Sequence, residues 1–306
     1  MSSGAAPRRL TVVVAAQNAL TTVGQCLEAL EAQRAWGIIQ QIILVDNSTD
    51  GTAAYVRAQF PAVEVVEKTE PALVPDLWGE GFLRSREDVV ALTTANMAAE
   101  PGWAAALLDG FTRGERAGVG GVILPAPGLG PLASAVYWLR YHRYARRPPA
   151  AVVRDIPGDN ASYRRSRLAA YFDRIGRDGF WEYEINQDLA VQGAELFSTP
   201  EAVVRYVGGE SFGDFARQRL VHGRRFGAKR VERLQGARRW LLVAAWPLTP
   251  VTFLARIVRE AAQAGGGTSL LRASPPLLWL LLCWSVGELQ GYLTGPAVRS
   301  ERAAFS

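Results

Sequence analysis

Three short segments concentrate the residues able to do polar chemistry. The first is Ala15-Ala16-Gln17-Asn18, the second Val45-Asp46-Asn47-Ser48-Thr49-Asp50-Gly51-Thr52, and the third Thr93-Thr94-Ala95-Asn96. Each follows an apolar run that reads as a buried strand. An aspartate at a strand's end, followed by Ser/Thr and a helix start, can accept a hydrogen bond from a base or ribose while backbone amides face a phosphate. The same residues suit a plain turn at Asp46 and a helix cap at Asp50, so spacing alone leaves both readings open. Imidazole and thiol chemistry is nearly absent. The two histidines, His142 and His222, read as surface or interface residues. Cys26 and Cys283 are too few and too far apart for a disulfide framework or a zinc site, and Cys283 sits in an apolar run as inert packing.

The elements that must position these segments alternate strand and helix. Thr11–Ala15, Ile38–Val45, Val63–Val66 and Val89–Thr93 are continuous apolar or β-branched runs. Helical spacing over Thr21–Ala32, Asp50–Phe60 and Pro101–Phe111 fills the intervals, with Thr21 or Thr22 as cap. Continuous apolar strands separated by helices predict a mostly parallel sheet covered on both faces, with ligand groups at the carboxyl ends of the strands. Gly118–Pro131 reads as a strand with a long loop, and Pro131–Tyr144 as an aromatic helix closed by Pro148-Pro149. Short strands and helices return over 157–213.

Length and composition agree. The 306 residues suffice for one large α/β domain plus an appendage, and 49% hydrophobic with 21% charged residues excludes disordered, collagen-like and disulfide-scaffold classes. Arg8-Arg9 before Leu10–Ala16 imitates a secretory signal, but the seven-residue run ends at once in Gln17-Asn18, so a first strand on the cytoplasmic side is expected. Of 34 basic residues only Lys68 and Lys229 are lysines; arginine grips phosphate in a forked geometry that lysine cannot match. Arg140, Arg143, Arg146 and Arg147 read as a solvated helix face.

The last quarter changes character. Between Arg217 and Arg239 nine basic residues face one acid, Glu232. Trp240–Leu254 and Leu277–Gly287 are apolar stretches shorter than the ~20 residues of a comfortable membrane span. Their tryptophans (Trp240, Trp246, Trp279, Trp284) and flanking arginines suit an interface or a short hairpin, with the basic run against anionic headgroups of the inner leaflet. The expected organisation is a tail (1–8), an α/β domain (9–216), a basic juxtamembrane segment (217–239), an apolar membrane-associated hairpin (240–295) and a tail (296–306). Positive charge beside apolar segments, with no recognition motif, argues against nucleic acid despite a pI near 9.5.

Taken together, AAQN, then VDNSTDGT, then TTANM followed by EPGW resemble the family 2 glycosyltransferases of GT-A fold over about residues 9–230. Their pattern is a strand ending in P-x-Y-N, then V-D-D/N-x-S-x-D-G-T, then D-x-D with P-x-W soon after. Gly158-Asp159-Asn160-Ala161-Ser162-Tyr163-Arg164-Arg165 resembles the family's G-x-N-x-x-Y-R-R loop, Phe180–Gly193 its E-D-x-x-L helix ending in Gly, and Gln218–Arg225 its Q-x-x-R-W-type basic segment. The resemblance implies a GT-A (Rossmann-like) α/β fold with C-terminal membrane-associated helices. It also implies a nucleotide-sugar donor and single-displacement transfer with inversion to a lipid-linked or polysaccharide acceptor.

Residue by residue, the resemblance places Ala16, Gln17 and Asn18 along the nucleotide, Asp46 on the base with Asn47 assisting, and Asp50, Gly51 and Thr52 at the cap of the next helix. The catalytic carboxylate falls on Glu182, with Trp181 where a glutamate usually precedes it; Glu184 is the alternative, and a solvated helix face the plain reading of both. Gly158, Asn160, Arg164, Arg165, Arg224 and Arg225 would meet acceptor or diphosphate.

Three departures stand out. The second motif is one residue short, and the stretch before Val89 has Leu77-Trp78-Gly79-Glu80-Gly81 with Arg84 and Arg86 in place of the usual basic-asparagine pattern. The third is chemical: the D-x-D positions carry Thr94 and Asn96, a weak pair for the magnesium or manganese ion such enzymes use, so no metal ligand is assigned. Either the arginines stabilise the leaving group, or the chain is a non-catalytic nucleotide-sugar-binding or scaffolding subunit.

Overall fold

The computed structural model describes residues 9–112, 114–146, 149–232 and 238–295; the tails, Arg147 and Pro148 lie outside them. The chain divides into two compact units, Met1–Ala126 with Arg146–Val207, and Pro127–Ala145 with Gly208–Ser306.

The first unit is built on a nine-stranded sheet in the order β3-β2-β1-β4-β8-β6-β9-β5, with β7 paired to β9. The strands are β1 (Leu10–Ala16), β2 (Ile39–Asp46), β3 (Glu64–Glu67), β4 (Val89–Thr94), β5 (Met97–Ala99), β6 (Gly118–Pro125), β7 (Ala151–Val153), β8 (Ala161–Arg164) and β9 (Leu196–Tyr206). Pairing is parallel from β3 through β4, as the unbroken apolar runs predict. Beyond β4 the sheet is mixed: β8 is antiparallel to both β4 and β6, and β9 is parallel to β6.

Helices α1 (Val23–Arg34), α2 (Thr52–Gln59) and α4 (Trp103–Gly110) form within two residues of their expected bounds. Helix α3 (Val74–Arg84) occupies the stretch that departs from the family pattern. Its Gly81 lies against Val13 of β1, where any side chain would collide, so helix and sheet approach closely. Trp78 is buried on the same helix and donates from Nε1 to the Thr93 carbonyl at 2.7 Å, tying α3 to the end of β4. Helices α6 (Phe172–Asp178) and α7 (Glu182–Val191) close this face over Phe82, Phe180 and Tyr163.

The second unit is helical: α5 (Pro131–Tyr141), α8 (Phe212–Glu232), α9 (Arg238–Ala245), α10 (Leu248–Gln263) and α11 (Gly267–Thr294). The division falls elsewhere than composition suggested, since α8 runs unbroken across residue 216 and α5 joins the C-terminal helices. Helix α11 also exceeds the expected apolar stretch. At 28 residues it reaches about 42 Å, more than the ~30 Å hydrocarbon core of a bilayer. It passes through Pro275 and Pro276, and the carbonyl of Leu271 that Pro275 leaves without a donor accepts the Ser274 hydroxyl at 2.8 Å. Helices α9 and α10 are bent by 62° at their junction, so the Trp240–Leu254 run is a broken helix.

Glycines lock α8 to α11. Gly223 and Gly227 face the backbone at Trp284 and Glu288, while Gly287 and Gly291 face Leu220 and Arg224. Two four-residue glycine spacings therefore interdigitate at backbone contact. Beside them the buried Glu288 accepts from Tyr292 and from Arg230, the latter at 3.4 Å. His222 is pushed down to about 3 by burial and the neighbouring Arg219, Arg140 and Arg225, and stays neutral. Gly287→Ala is expected to drive a methyl into the Leu220 carbonyl. The expected loss is about 1–3 kcal/mol or more, the range for an overpacked core, read as a lower melting temperature; an unchanged melt would contradict the close approach.

Candidate functional site

Parallel pairing of β1 with β2 and β4 brings three strand ends to one edge. Ala16 lies opposite Asp46, and Ala15 opposite Thr94. Two strand spacings, about 10 Å, therefore separate Asp46 from Thr94.

The first two loops are stapled together. The amide of Asn18 donates to Ser48 Oγ at 2.7 Å, and Thr49 N donates back to Asn18 Oδ1 at 2.9 Å. Asn18 holds φ of +47°, a left-handed conformation that asparagine tolerates better than most residues. Asp50 accepts from Leu20 N at 3.0 Å and from Thr52 N at 3.1 Å, so it serves the entry to α2 and also bridges the loops. Burial pushes its carboxyl up, but the Thr52 hydroxyl that donates to it at 2.5 Å, together with these amides, outweighs burial and holds it below the ordinary value.

Asp46 is 2% exposed. Burial raises its pKa, opposed by the Ser48 hydroxyl that donates to it at 2.6 Å. Asn47 has a different task from the expected one. Its Nδ2 donates to the carbonyls of Lys68 at 2.6 Å and Glu70 at 3.1 Å, and its Oδ1 accepts from Ala72 N at 3.2 Å. Gln17 Nε2 adds a bond to the Ala72 carbonyl at 2.6 Å. Both amides hold the 68–72 segment beside Asp46. The buried Ala16 contributes its carbonyl to Asn47 N at 3.0 Å.

At the end of β4, Thr94 Oγ1 lies 2.7 Å from Asn96 Oδ1 and 3.0 Å from Asp159 Oδ1. Asp159 is the residue that sequence reasoning passed over: the Gly-Asp-Asn signal was read for its glycine and asparagine. It arrives because β8 runs antiparallel to β4, with Ala161 opposite Leu92, so the residues before Ala161 reach the Thr94 end. Glu182 comes to the same place. A side-chain carbon on Gly158 would sit 2.7 Å from Glu182 Cγ and 2.9 Å from both its carboxyl carbon and the Trp78 ring. The glutamate therefore lies on the Gly158 backbone, next to Asp159. Helix α7 is anchored for this by Asn186, which accepts from Tyr163 at 2.9 Å and donates to Asp155 at 2.7 Å. Of the two acids in its first turn, Glu182 is half-buried against Gly158 and Glu184 is exposed.

Three expected ligand residues are corrected. Asn160 is wholly buried; it accepts from Trp103 Nε1 at 2.7 Å and donates to the carbonyls of Val122 and Ala202 at 2.9 Å each, leaving no group for a ligand. Arg164 pairs with Val89, at the opposite end of β4 and about 17 Å along the strand from Thr94. There it faces Asp88 at 3.7 Å and the Phe111 ring. Arg165 follows it, donating to the Leu83 carbonyl at 3.2 Å over the Phe172 ring. Direction of the strand, not residue type, carries both arginines away from the Thr94 end. Arg224 and Arg225 are half-buried on α8 in the second unit.

Among the described residues no group of three or more His, Cys, Asp or Glu could hold a metal alone. The Thr94 hydroxyl, the Asn96 amide oxygen and the Asp159 carboxylate are nonetheless all hard oxygen donors. One carboxylate suits a cation that brings phosphate oxygens with it, as magnesium commonly does.

The chain can now be set beside known proteins. In sequence, no curated protein matches it. Among solved structures it is similar to a mannosyltransferase from Pyrobaculum calidifontis, solved with GDP-Man and Mn2+, at 18% identity and TM-score 0.54, covering 92% of this chain and 87% of that one. It is also similar to GalNAc-T7, solved with UDP, GalNAc and Mn2+, at 13% identity and TM-score 0.51, covering 65% of this chain and 43% of that one. These likenesses establish the GT-A fold. The model of glycosyl transferase family 2 matches residues 11–172. That span is more than half of the chain and holds both stapled loops, the end of β4 and Asp159: the chain belongs to glycosyl transferase family 2, and is a transferase.

Proposed function

We propose that the chain transfers a sugar, with inversion at the anomeric carbon, from a nucleoside diphosphate donor to a lipid-linked or cell-surface polysaccharide acceptor. The observation that carries this reading is the position of Glu182, a carboxylate lying on Gly158 at the strand edge that ends in Asp46 and Thr94. Glu182 takes the proton from an acceptor hydroxyl as that oxygen attacks the anomeric carbon. A new glycosidic bond forms on one face, the bond to the diphosphate oxygen breaks on the other, and the nucleoside diphosphate leaves. Asp46 accepts from an N–H of the base, and the backbone around Gln17 and Asn18 lines the nucleotide. The structures solved with GDP-Man and with UDP support a nucleotide donor. A magnesium or manganese ion, when bound, would offset charge on the departing diphosphate; Asp159, Asn96 and Thr94 would hold it.

The second unit supports an acceptor at a membrane. Helix α11 is long and apolar enough to cross one, and α9 with α10 passes the same measure as a bent pair. Trp240, Leu241, Leu248, Leu271 and Trp279 are all exposed. With the basic residues of α8, this surface suits an anionic cytoplasmic leaflet, at roughly 1 kcal/mol for each arginine or lysine that reaches it.

Glu182→Gln is expected to bind donor as the wild type does and to lose transfer by about 10²–10⁴-fold, the usual worth of a general base. An active variant removes that role, and a wild type that binds donor without transferring supports the non-catalytic reading. Asp46→Asn is expected to weaken nucleotide binding while raising the melting temperature at pH 7. The sign follows from burial: the raised pKa means that the folded state holds its proton more tightly than the unfolded one, so stability falls as pH climbs past the unfolded value. The gain should vanish below that range, where wild-type Asp46 is itself protonated; a gain independent of pH would exclude this origin. Flotation of the full chain should be stronger with anionic than with neutral vesicles at low salt, and the difference should shrink at high salt; equal flotation with both lipids would remove the role of the α8 charges.

A further inference from the structure

We propose that Arg219, His222 and Arg225 of α8, backed by Trp284 of α11, bind the headgroup of a lipid phosphate monoester. The inference rests on the membrane reading of the second unit given above and on nothing at the donor site, since all four residues belong to that unit. Arg219, His222 and Arg225 follow one another at three-residue spacing along α8, so the imidazole stands between two guanidinium groups. Arg219 Nη2 lies 3.0 Å from His222 Nδ1. A guanidinium can only donate, so Nδ1 accepts and the neutral ring carries its proton on Nε2, as a further donor. The Arg219 guanidinium lies 4.9 Å from the Phe215 ring and 5.4 Å from the Trp284 ring. Its remaining polar contact is with Gln218 Oε1 at 3.5 Å, and its Nε is buried without a hydrogen-bond partner.

Cations therefore gather here with no carboxylate, among the described residues, paired to Arg219 or Arg225. Burial and then Arg140 of α5 push Arg219 down to about 9, against an opposing effect of Tyr141. Burial comes first for His222 also, followed by Arg219, Arg140 and Arg225. Like charges held together at the edge of a protein interior repel, and an anion relieves that repulsion. Phosphate suits the site because the arginine fork matches its oxygens, and the second negative charge of a monoester answers a second guanidinium. The frame is already set: Gly223, between His222 and Arg225, faces the Trp284 backbone. The lipid part follows from the aromatic neighbours. Phe226 is exposed, with its ring 5.8 Å from that of Trp284, and Trp284 belongs to the helix apolar enough to cross a bilayer. Tryptophan rings favour the headgroup level, so an alkyl chain finds apolar surface directly beside the cations.

The test is calorimetric titration of the detergent-solubilised full chain with hexadecyl phosphate, with phosphatidylglycerol in neutral micelles and with inorganic phosphate, alongside vesicle flotation. The wild type is expected to bind one hexadecyl phosphate per chain, about tenfold or more tightly than either of the others, the worth of one hydrogen bond to a charged group. Arg219→Gln should lose that advantage, whereas Arg217→Gln, at an exposed position of the same helix, should bind as the wild type does. A measurement on the wild type needs no variant to fold: with only two histidines in the chain, hexadecyl phosphate should move the ring signal of His222 in the NMR spectrum and leave that of His142. Equal binding of phosphatidylglycerol or inorganic phosphate, an equal loss in Arg217→Gln, or an unmoved His222 signal overturns the proposal alone. A chain that floats with no vesicle overturns the membrane reading and the proposal with it.

Discussion

The pairing of β1 with a parallel strand on each side is the constraint on which the site depends. Because β2 and β4 both run with β1, in registers that set Ala16 beside Asp46 and Ala15 beside Thr94, every polar loop emerges from one edge of an apolar core. Loss of that register by a single residue would turn each buried side chain to the other face. Both faces of β1 and β2 are covered, Val12–Val14 and Ile42–Val45 being wholly buried, so it is close packing and not polar alternation that opposes such a slip. The staples between Asn18, Ser48, Thr49 and Asp50 are secondary to it: they connect loops that the strands have already brought together.

Local pattern made the parallel half of this arrangement legible. Strands β1 to β4 and helices α1, α2 and α4 follow from apolar runs and helical spacing, and the three polar loops lie where those runs end. What was not legible is the antiparallel half. Strand β8 inserts beside β4 from some seventy residues away, and nothing in Ala161–Arg164 announces its direction. That direction decides which residues of the Gly158–Arg165 segment reach the site: it delivers Asp159 and Glu182's seat on Gly158 to the Thr94 end, and carries Arg164 and Arg165 to the far one. A motif read as a string assigns roles to glycine, asparagine and arginine alike; an antiparallel strand can present only one end of it.

Asn47 and Asn160 make a related point. Both stand in motif positions that suggest contact with a ligand, and both spend their amides on main chain, Asn47 on residues 68–72 and Asn160 on Val122 and Ala202. An amide with donor and acceptor at one end is well suited to joining two backbone segments lacking a common ladder, and burial then makes those bonds obligatory. In the second unit, composition showed apolar and basic character but not continuity. Helix α11 runs through two prolines, and the Ser274 hydroxyl supplies the donor that Pro275 withholds.

The second unit is assembled from two separated stretches of chain, and this has a consequence for the order in which the protein can be made. Helix α5 leaves the ribosome between strands of the first unit, yet Trp138 packs on Gly266 and donates to Ser269, 131 residues later. At synthesis rates of about 5–20 residues per second, the indole and the buried Tyr137 beside it stay uncovered for roughly ten seconds. During that interval β7, β8 and β9 are added around an unpaired apolar helix. A nascent chain halted at Val207 would hold all nine strands and still expose that helix, so a binding partner or lipid surface that shields α5 early would favour completion of the fold, and a fragment ending there would be prone to aggregate.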